Sequence, residues 1–180
     1  MQGKSFPDQQ RGVTLIECCA TLTIVSILAG TALPSFDTVL KTRRLEGQAA
    51  EMAIDLRYVR SEAVARNEGV RVSFHNTAGG TCTLIHTGST ADCSCDSNGV
   101  ALCTGGAKAL KTLFNAAASG TSIQANVASM RFDQNNGTVT PAATVRVVGA
   151  DGRAIHHVVN IMGRVRSCSP GGTVNGVKPC

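Results

Sequence analysis

The chain has 180 residues, of which 43% are hydrophobic and 16% charged, and its formal net charge at neutral pH is +5. This length and composition fit one membrane helix followed by one modest folded domain. The positive charge favours an acidic partner or an anionic surface. Aromatic residues make up only 3% of the sequence and tryptophan is absent, which argues against binding of single-stranded nucleic acid by base stacking.

An uncharged apolar run over Cys18–Phe36 follows a polar leader that carries two basic residues. At a rise of about 1.5 Å per residue, a helix of this run is about 28 Å long, close to the hydrocarbon thickness of a bilayer. We therefore predict a transmembrane helix over residues 13–36. Glu17 near its start is the only charged side chain in that span.

The short basic leader ending in Gly12, followed by Val13 to Glu17 and the apolar run, resembles the type IV prepilin signal of pilins and of type II secretion pseudopilins. The resemblance implies that a prepilin peptidase removes residues 1–12 by cutting after Gly12, and that Val13 is then N-methylated. A carboxylate inside a membrane is costly unless it has a partner. The resemblance implies that Glu17 pairs with the terminal amine of a neighbouring subunit during filament assembly. Snorkelling of Glu17 to the interface is the alternative.

The same resemblance implies where the protein resides and which partners it has. It predicts a single-pass protein of the cell inner membrane, with its globular domain in the periplasm. Assembly with other major and minor pilins, or with pseudopilins, would then place it in a surface pilus or a periplasmic pseudopilus. An ordinary signal anchor is the alternative for this N-terminal segment.

The second half of the helix, over residues 37–68, is predicted to be amphipathic. Its small and apolar residues recur every three or four positions, with arginines on the other side. The helix should end at Asn67-Glu68-Gly69, with Gly69 in a left-handed C-cap. The apolar positions are Ala49, Met52, Ala53, Leu56, Val59 and Ala63.

Residues 69–180 carry short alternating segments and marked turns, which predict an antiparallel β domain of roughly six to eight strands. Asn135-Asn136-Gly137 and Gly149-Ala150-Asp151-Gly152 are hairpin signals. The junction over residues 56–74 resembles that of FimT and GspH minor pilins. The resemblance implies an α+β, type IV pilin-like fold, in which a long N-terminal helix packs on the β domain.

Six cysteines follow residue 80, and an even number outside the cytoplasm indicates disulfides. Cys168 and Cys180 are the favoured pair, because their bond would close a glycine-rich tail and stabilise it by about 3 kcal/mol. The other four allow three connectivities, of which a bond across one residue between Cys93 and Cys95 is disfavoured. A four-cysteine zinc site is the alternative, although the usual Cys-x-x-Cys spacing is missing. These four are Cys82, Cys93, Cys95 and Cys103.

Gly163-Arg164-Val165-Arg166 is the most informative stretch of the β domain. In an extended chain Arg164 and Arg166 share a face, and two guanidiniums at that pitch can bridge neighbouring phosphates. This Gly-Arg-x-Arg element, with a cysteine-bearing tail behind it, resembles the C-terminal motif of FimT, a minor pilin linked to DNA uptake in natural transformation. The resemblance implies that both arginines contact double-stranded DNA. Lys178 lies outside the motif and adds positive charge in the tail, as a further DNA-binding candidate. A solvated strand edge is the alternative.

No stretch of the sequence predicts an enzyme, a cofactor or a metal site. His156 and His157 are adjacent, so on a strand they face opposite ways and cannot chelate one ion together. The resemblances to the prepilin signal and to the FimT motif together imply a minor pilin of a type IV pilus that binds extracellular duplex DNA without sequence preference. A minor pseudopilin of the GspH type, acting as a structural tip subunit in type II secretion, is the alternative.

Overall fold

The computed structural model describes residues 12–180, with the backbone alone over residues 31–35. The chain divides between residues 39 and 40 into two units. All of the predicted leader except Gly12 lies outside the described residues. The long helix α1, Leu15–Arg66, begins in the first unit and ends in the second.

The start of α1 carries a helix cap. The backbone N–H of Glu17 donates to Thr14 Oγ1 at 3.4 Å, and the sequence Thr-x-x-Glu is that of a capping box. Glu17 lies in the first helical turn, where negative charge is favourable. None of the described helices combines the length and the apolarity needed to cross a bilayer. The transmembrane assignment of residues 13–36 is therefore not confirmed.

Within the second unit, the apolar stripe of α1 faces the core. All six of its predicted members are buried, and Leu45 extends the stripe by one turn. The helix ends as expected after Arg66, but the left-handed position is taken by Asn67, with φ 52°, and not by Gly69. A Cβ at Gly69 would overlap the guanidinium of Arg131, so a larger residue there would require that side chain to move.

Eleven strands follow the helix, more than the six to eight expected from the sequence. The excess comes from three strands of only two or three residues, which are too short to show alternation. In chain order the elements are β1 Val70–Thr77, β2 Gly80–Thr87, β3 Cys93–Cys95, β4 Ala101–Cys103, β5 Ala109–Ala116, β6 Thr121–Ala125, β7 Ser129–Phe132, β8 Val139–Thr140, β9 Ala143–Gly149, β10 Ala154–Val159 and β11 Val165–Cys168, with 3₁₀ turns at Ala117–Ser119 and Pro170–Gly172.

The strands form two larger antiparallel sheets and one small hairpin. The five-stranded sheet has the order β5-β2-β1-β7-β8, and the four-stranded sheet has the order β11-β10-β9-β6. Both predicted hairpins are present, since β7 pairs with β8 and β9 pairs with β10. Apolar side chains of α1 and of both sheets form one core cluster, so the expected packing of the helix on an antiparallel β domain is confirmed.

The hairpin β3–β4 belongs to an insert that two disulfides hold in place. Cys93 bonds to Cys103 within the hairpin, and Cys82 bonds to Cys95, which ties the hairpin to β2. The third disulfide joins Cys168 to Cys180, the pair favoured by the sequence. All four cysteines of the zinc alternative are thus bonded to sulfur, which leaves no thiolate among them for a metal.

Candidate nucleic-acid interface

The two arginines of the Gly-Arg-x-Arg element lie at an edge of the four-stranded sheet. β11 is the outermost strand, with Val165 opposite Val159 and Arg166 opposite Val158. Val165 packs against the core, whereas Arg164 and Arg166 on either side of it are exposed. This is the arrangement that alternation along an extended chain requires.

A hydrogen-bonded turn presents Arg164. The side-chain oxygen of Asn160 accepts the backbone N–H of Met162 at 3.1 Å and that of Arg164 at 2.9 Å. Gly163 donates to the backbone oxygen of Asn160 at 2.9 Å and has φ 70°, a conformation that favours glycine. The backbone that positions Arg164 is therefore fixed by local contacts.

A third arginine lies two strands away on the same sheet. Arg146 is exposed on β9 between the buried residues Val145 and Val147, and it is directly opposite His156 of β10. Neighbouring strands lie about 4.8 Å apart, so β9 and β11 are separated by about 10 Å. Burial lowers the pKa of His156, and the charge of Arg146 acts in the same direction. Arg146, Arg164 and Arg166 together are called the basic face below.

Sequence reasoning missed Arg146. The signal was present, because alternation of Val145, Arg146 and Val147 points the arginine away from the core. What the sequence did not reveal was that β10 brings β9 and β11 into one sheet.

Lys178 is held next to the end of β11 by the closed tail. The backbone N–H of Ser169 donates to the carbonyl oxygen of Lys178 at 2.8 Å, and the side chain of Lys178 is exposed. The disulfide between Cys168 and Cys180 encloses this segment. The structure thus brings the tail lysine to the strand that carries Arg166.

No ion pair resolved among the described residues neutralises a positive charge of the basic face. Over residues 12–180, the resolved ion pairs involve Arg43, Arg66, Lys111 and Arg153 as cations. None of them includes a residue of the basic face. Exposed guanidiniums without a carboxylate neighbour favour an external anion.

The adjacent histidines face opposite ways, as alternation predicts. His157 is 1% exposed, and its Nδ1 lies 2.9 Å from Ser167 Oγ. Burial lowers the pKa of His157 to about 4. Across the part of the chain that the structure describes, no three His, Cys, Asp or Glu side chains are grouped to hold a metal ion.

The predicted processing and assembly residues lie in the first unit. Gly12 and Val13 precede α1 and are exposed, and Glu17 lies in its first turn. Their roles in cleavage, methylation and filament assembly stay predictions.

A long N-terminal helix whose apolar stripe packs on antiparallel sheets is the arrangement of the type IV pilin-like fold. Among solved structures, the chain is similar to the type IV minor pilin FimU of Pseudomonas aeruginosa strain PAO1. In one crystal form FimU is 18% identical with a TM-score of 0.53, covering 75% of this chain and 95% of FimU. In a second form the identity is 18% and the TM-score 0.51, over 74% of this chain and 98% of FimU. This likeness shows the fold.

The family described as Type II transport protein GspH matches residues 48–163, which is more than half of the chain. The chain therefore belongs to the GspH family, whose members are structural subunits of the pilin and pseudopilin kind. A comparison with curated protein sequences gave no significant match. The narrower resemblance to FimT stays a prediction.

Proposed function

We propose that this protein is a minor pilin of a type IV pilus that binds extracellular double-stranded DNA for natural transformation. The observation that carries the proposal is the basic face, where Arg164 and Arg166 are exposed and no carboxylate of the described residues pairs with them. Arg146 extends this charge across the sheet, and Lys178 adds to it from the tail. Retraction of the pilus would then draw the bound DNA inward.

The chemistry of the basic face suits phosphates and not base edges. Arginine binds phosphate oxygens through several N–H donors, and such contacts carry no sequence information. The three arginines of the basic face and Lys178 would neutralise about four phosphates, which contributes about −3.6 to the slope of log K against log salt. Binding should therefore be weak at physiological salt and indifferent to sequence.

Assembly into the pilus is part of the same proposal. The protein is held in the inner membrane by residues 13–36 after a prepilin peptidase removes the leader at Gly12. Val13 becomes the methylated N-terminus, and Glu17 pairs with the terminal amine of a neighbouring pilin. Replacement of Glu17 by Ala should leave processing intact and remove the subunit from purified pili, as measured by immunoblotting.

Titration of a fluorescent DNA duplex with the purified protein, followed by anisotropy, tests the binding step. The variant Arg164→Gln/Arg166→Gln should weaken binding about tenfold at moderate salt and reduce the magnitude of the salt slope by about 1.8. The matched control is Arg44→Gln/Lys108→Gln, which removes the same charge from exposed positions outside the basic face. Equal binding by both double variants would contradict the proposed site.

The second candidate is a minor pseudopilin of type II secretion, which the description of the matching family favours. In that case the globular domain contacts other tip subunits or secreted protein. Absence of DNA binding by the wild-type protein, together with loss of protein secretion in a deletion strain, would favour this function. Loss of DNA uptake with normal secretion would favour the first.

A further inference from the structure

A second cluster of arginines lines an open groove next to the basic face. The groove has a volume of about 610 Å³ and lies between α1 and the start of β11. Arg57 and Arg60 line it from the helix, and Arg164 lines it from the strand side. These three residues define what is called the arginine groove below. Arg164 belongs to both the groove and the basic face, so the two surfaces are continuous.

The charge of the arginine groove is unbalanced. Its lining contains no aspartate or glutamate, and among the described residues no ion pair includes Arg57, Arg60 or Arg164. Arg66 further along the helix differs, because it pairs with Glu62. Like charges repel one another when they share a site, so convergence of three guanidiniums favours an anion between them.

Arg60 is positioned by the backbone of two glycines. A Cβ at Gly137 would lie 2.8 Å from Arg60 Cγ and Nε, and one at Gly163 would lie 3.2 Å from Arg60 Cδ and Nε. Both glycines have positive φ, 62° and 70°. The stem of Arg60 is thus packed before any ligand arrives, which lowers the entropy lost on binding.

The remaining lining of the groove is small or apolar. Val64 and Ala65 contribute from the helix and Val165 from the strand. Val64 is 49% exposed, so this surface is open to solvent. A phosphodiester backbone offers both groups that such a surface accepts, charged phosphates for the guanidiniums and apolar sugar carbons for the aliphatic side chains.

We infer that the arginine groove binds the sugar–phosphate backbone of the same DNA duplex that the basic face binds. Arg57 and Arg60 are three residues apart on the helix, which separates them by about 4.5 Å along its axis. Because they line the groove from the helix and Arg164 lines it from the strand, they reach phosphates from the side opposite Arg164. This inference rests on the proposed function and assigns DNA contact to the helix as well as to the sheet.

Anisotropy titrations of the purified full chain with a short labelled duplex, at several salt concentrations, test the inference. The variant Arg57→Gln/Arg60→Gln should weaken binding about tenfold and make the salt slope shallower by about 1.8, since each phosphate contact contributes about 0.9. Arg57→Lys/Arg60→Lys should keep most of the affinity, because it retains the charge. Arg44→Gln/Lys108→Gln serves as the charge-matched control, and thermal unfolding checks that each variant folds.

The outcomes separate the inference from the proposed function. If the wild type binds no DNA, both are overturned. If the wild type binds, Arg164→Gln/Arg166→Gln binds weakly, and the groove variant has the same slope as the control, the inference alone is overturned. That result would leave the groove to an acidic protein segment. A slope reduction in the groove variant, with retention in the lysine variant, supports the inference.

Discussion

Acidification should destabilise the globular unit through His157, which lies on β10 beneath the helix. His157 lines a small cavity together with Glu46 and the apolar residues Ala49, Ala53 and Ile155, and its Nδ1 lies 2.9 Å from Ser167 Oγ. Burial lowers the pKa of His157 from 6.5 to about 4, and the nearby charge of Arg57 acts in the same direction. A proton on His157 is therefore costly in the folded state.

The sign and size of the effect follow from proton linkage. Between pH 6.5 and about 4 the unfolded chain binds a proton at His157 and the folded chain does not. The free energy of unfolding therefore falls as the pH falls through this window. Above pH 6.5 the free energy of unfolding does not depend on His157. Since one pKa unit corresponds to about 1.4 kcal/mol, the full loss at pH 4 is about 3 kcal/mol.

Urea unfolding of residues 40–180, followed by circular dichroism at several pH values, measures this loss. His157→Gln should be less stable at neutral pH but should lose about 3 kcal/mol less on acidification. His86→Gln is the necessary comparison, because His86 is also buried and burial lowers its pKa. If wild type and His157→Gln lose the same free energy between neutral pH and pH 4, the argument is wrong.

Three further predictions concern stability. The amine of Lys111 lies 2.7 and 2.8 Å from the two carboxylate oxygens of buried Asp55. Lys111→Ala removes this partner and should lower the free energy of unfolding by about 2 kcal/mol. An unchanged urea midpoint of unfolding would contradict this prediction. Gly163→Ala should lower the free energy of unfolding by about 3 kcal/mol, and Gly152→Ala by about 1 kcal/mol. Both glycines have positive φ, but only a Cβ at Gly163 would overlap a backbone oxygen. Equal melting temperatures of these two variants would contradict the predicted difference in stability. Replacement of both Cys168 and Cys180 by serine should lower the free energy of unfolding by about 3 kcal/mol and expose the tail to proteolysis. Unchanged protease resistance of this variant would contradict the prediction.

The sequence was sufficient for those parts of the fold that depend on local periodicity. The stripe from Ala49 to Ala63 follows from apolar residues at helical spacing, and the turn at Gly149–Gly152 from its own residues. The helix terminus shows the limit of such reasoning. Gly69 is the better residue for a left-handed cap, yet Asn67 adopts that conformation. The guanidinium of Arg131, more than sixty positions later in the chain, lies against the backbone at Gly69, so a larger residue there would displace that side chain.

The candidate site was predicted only where its residues are close in sequence. Arg164 and Arg166 were found because alternation along one strand places them together. Arg146 was missed because its proximity depends on the pairing of β9 with β10 and of β10 with β11. Arg57 and Arg60 were assigned to a solvated helix face, since nothing in the sequence shows that the start of β11 lies beside them.

Arg60 packs against two glycines from separate turns, and this has a consequence for protein engineering. Transfer of the Gly-Arg-x-Arg segment alone to another scaffold would leave behind the side chain that supports it and the opposing loop at Gly137. The transplanted arginines would keep their charge but lose their fixed placement. A functional graft must therefore include Asn160, a helical arginine and both glycines as one spatial unit.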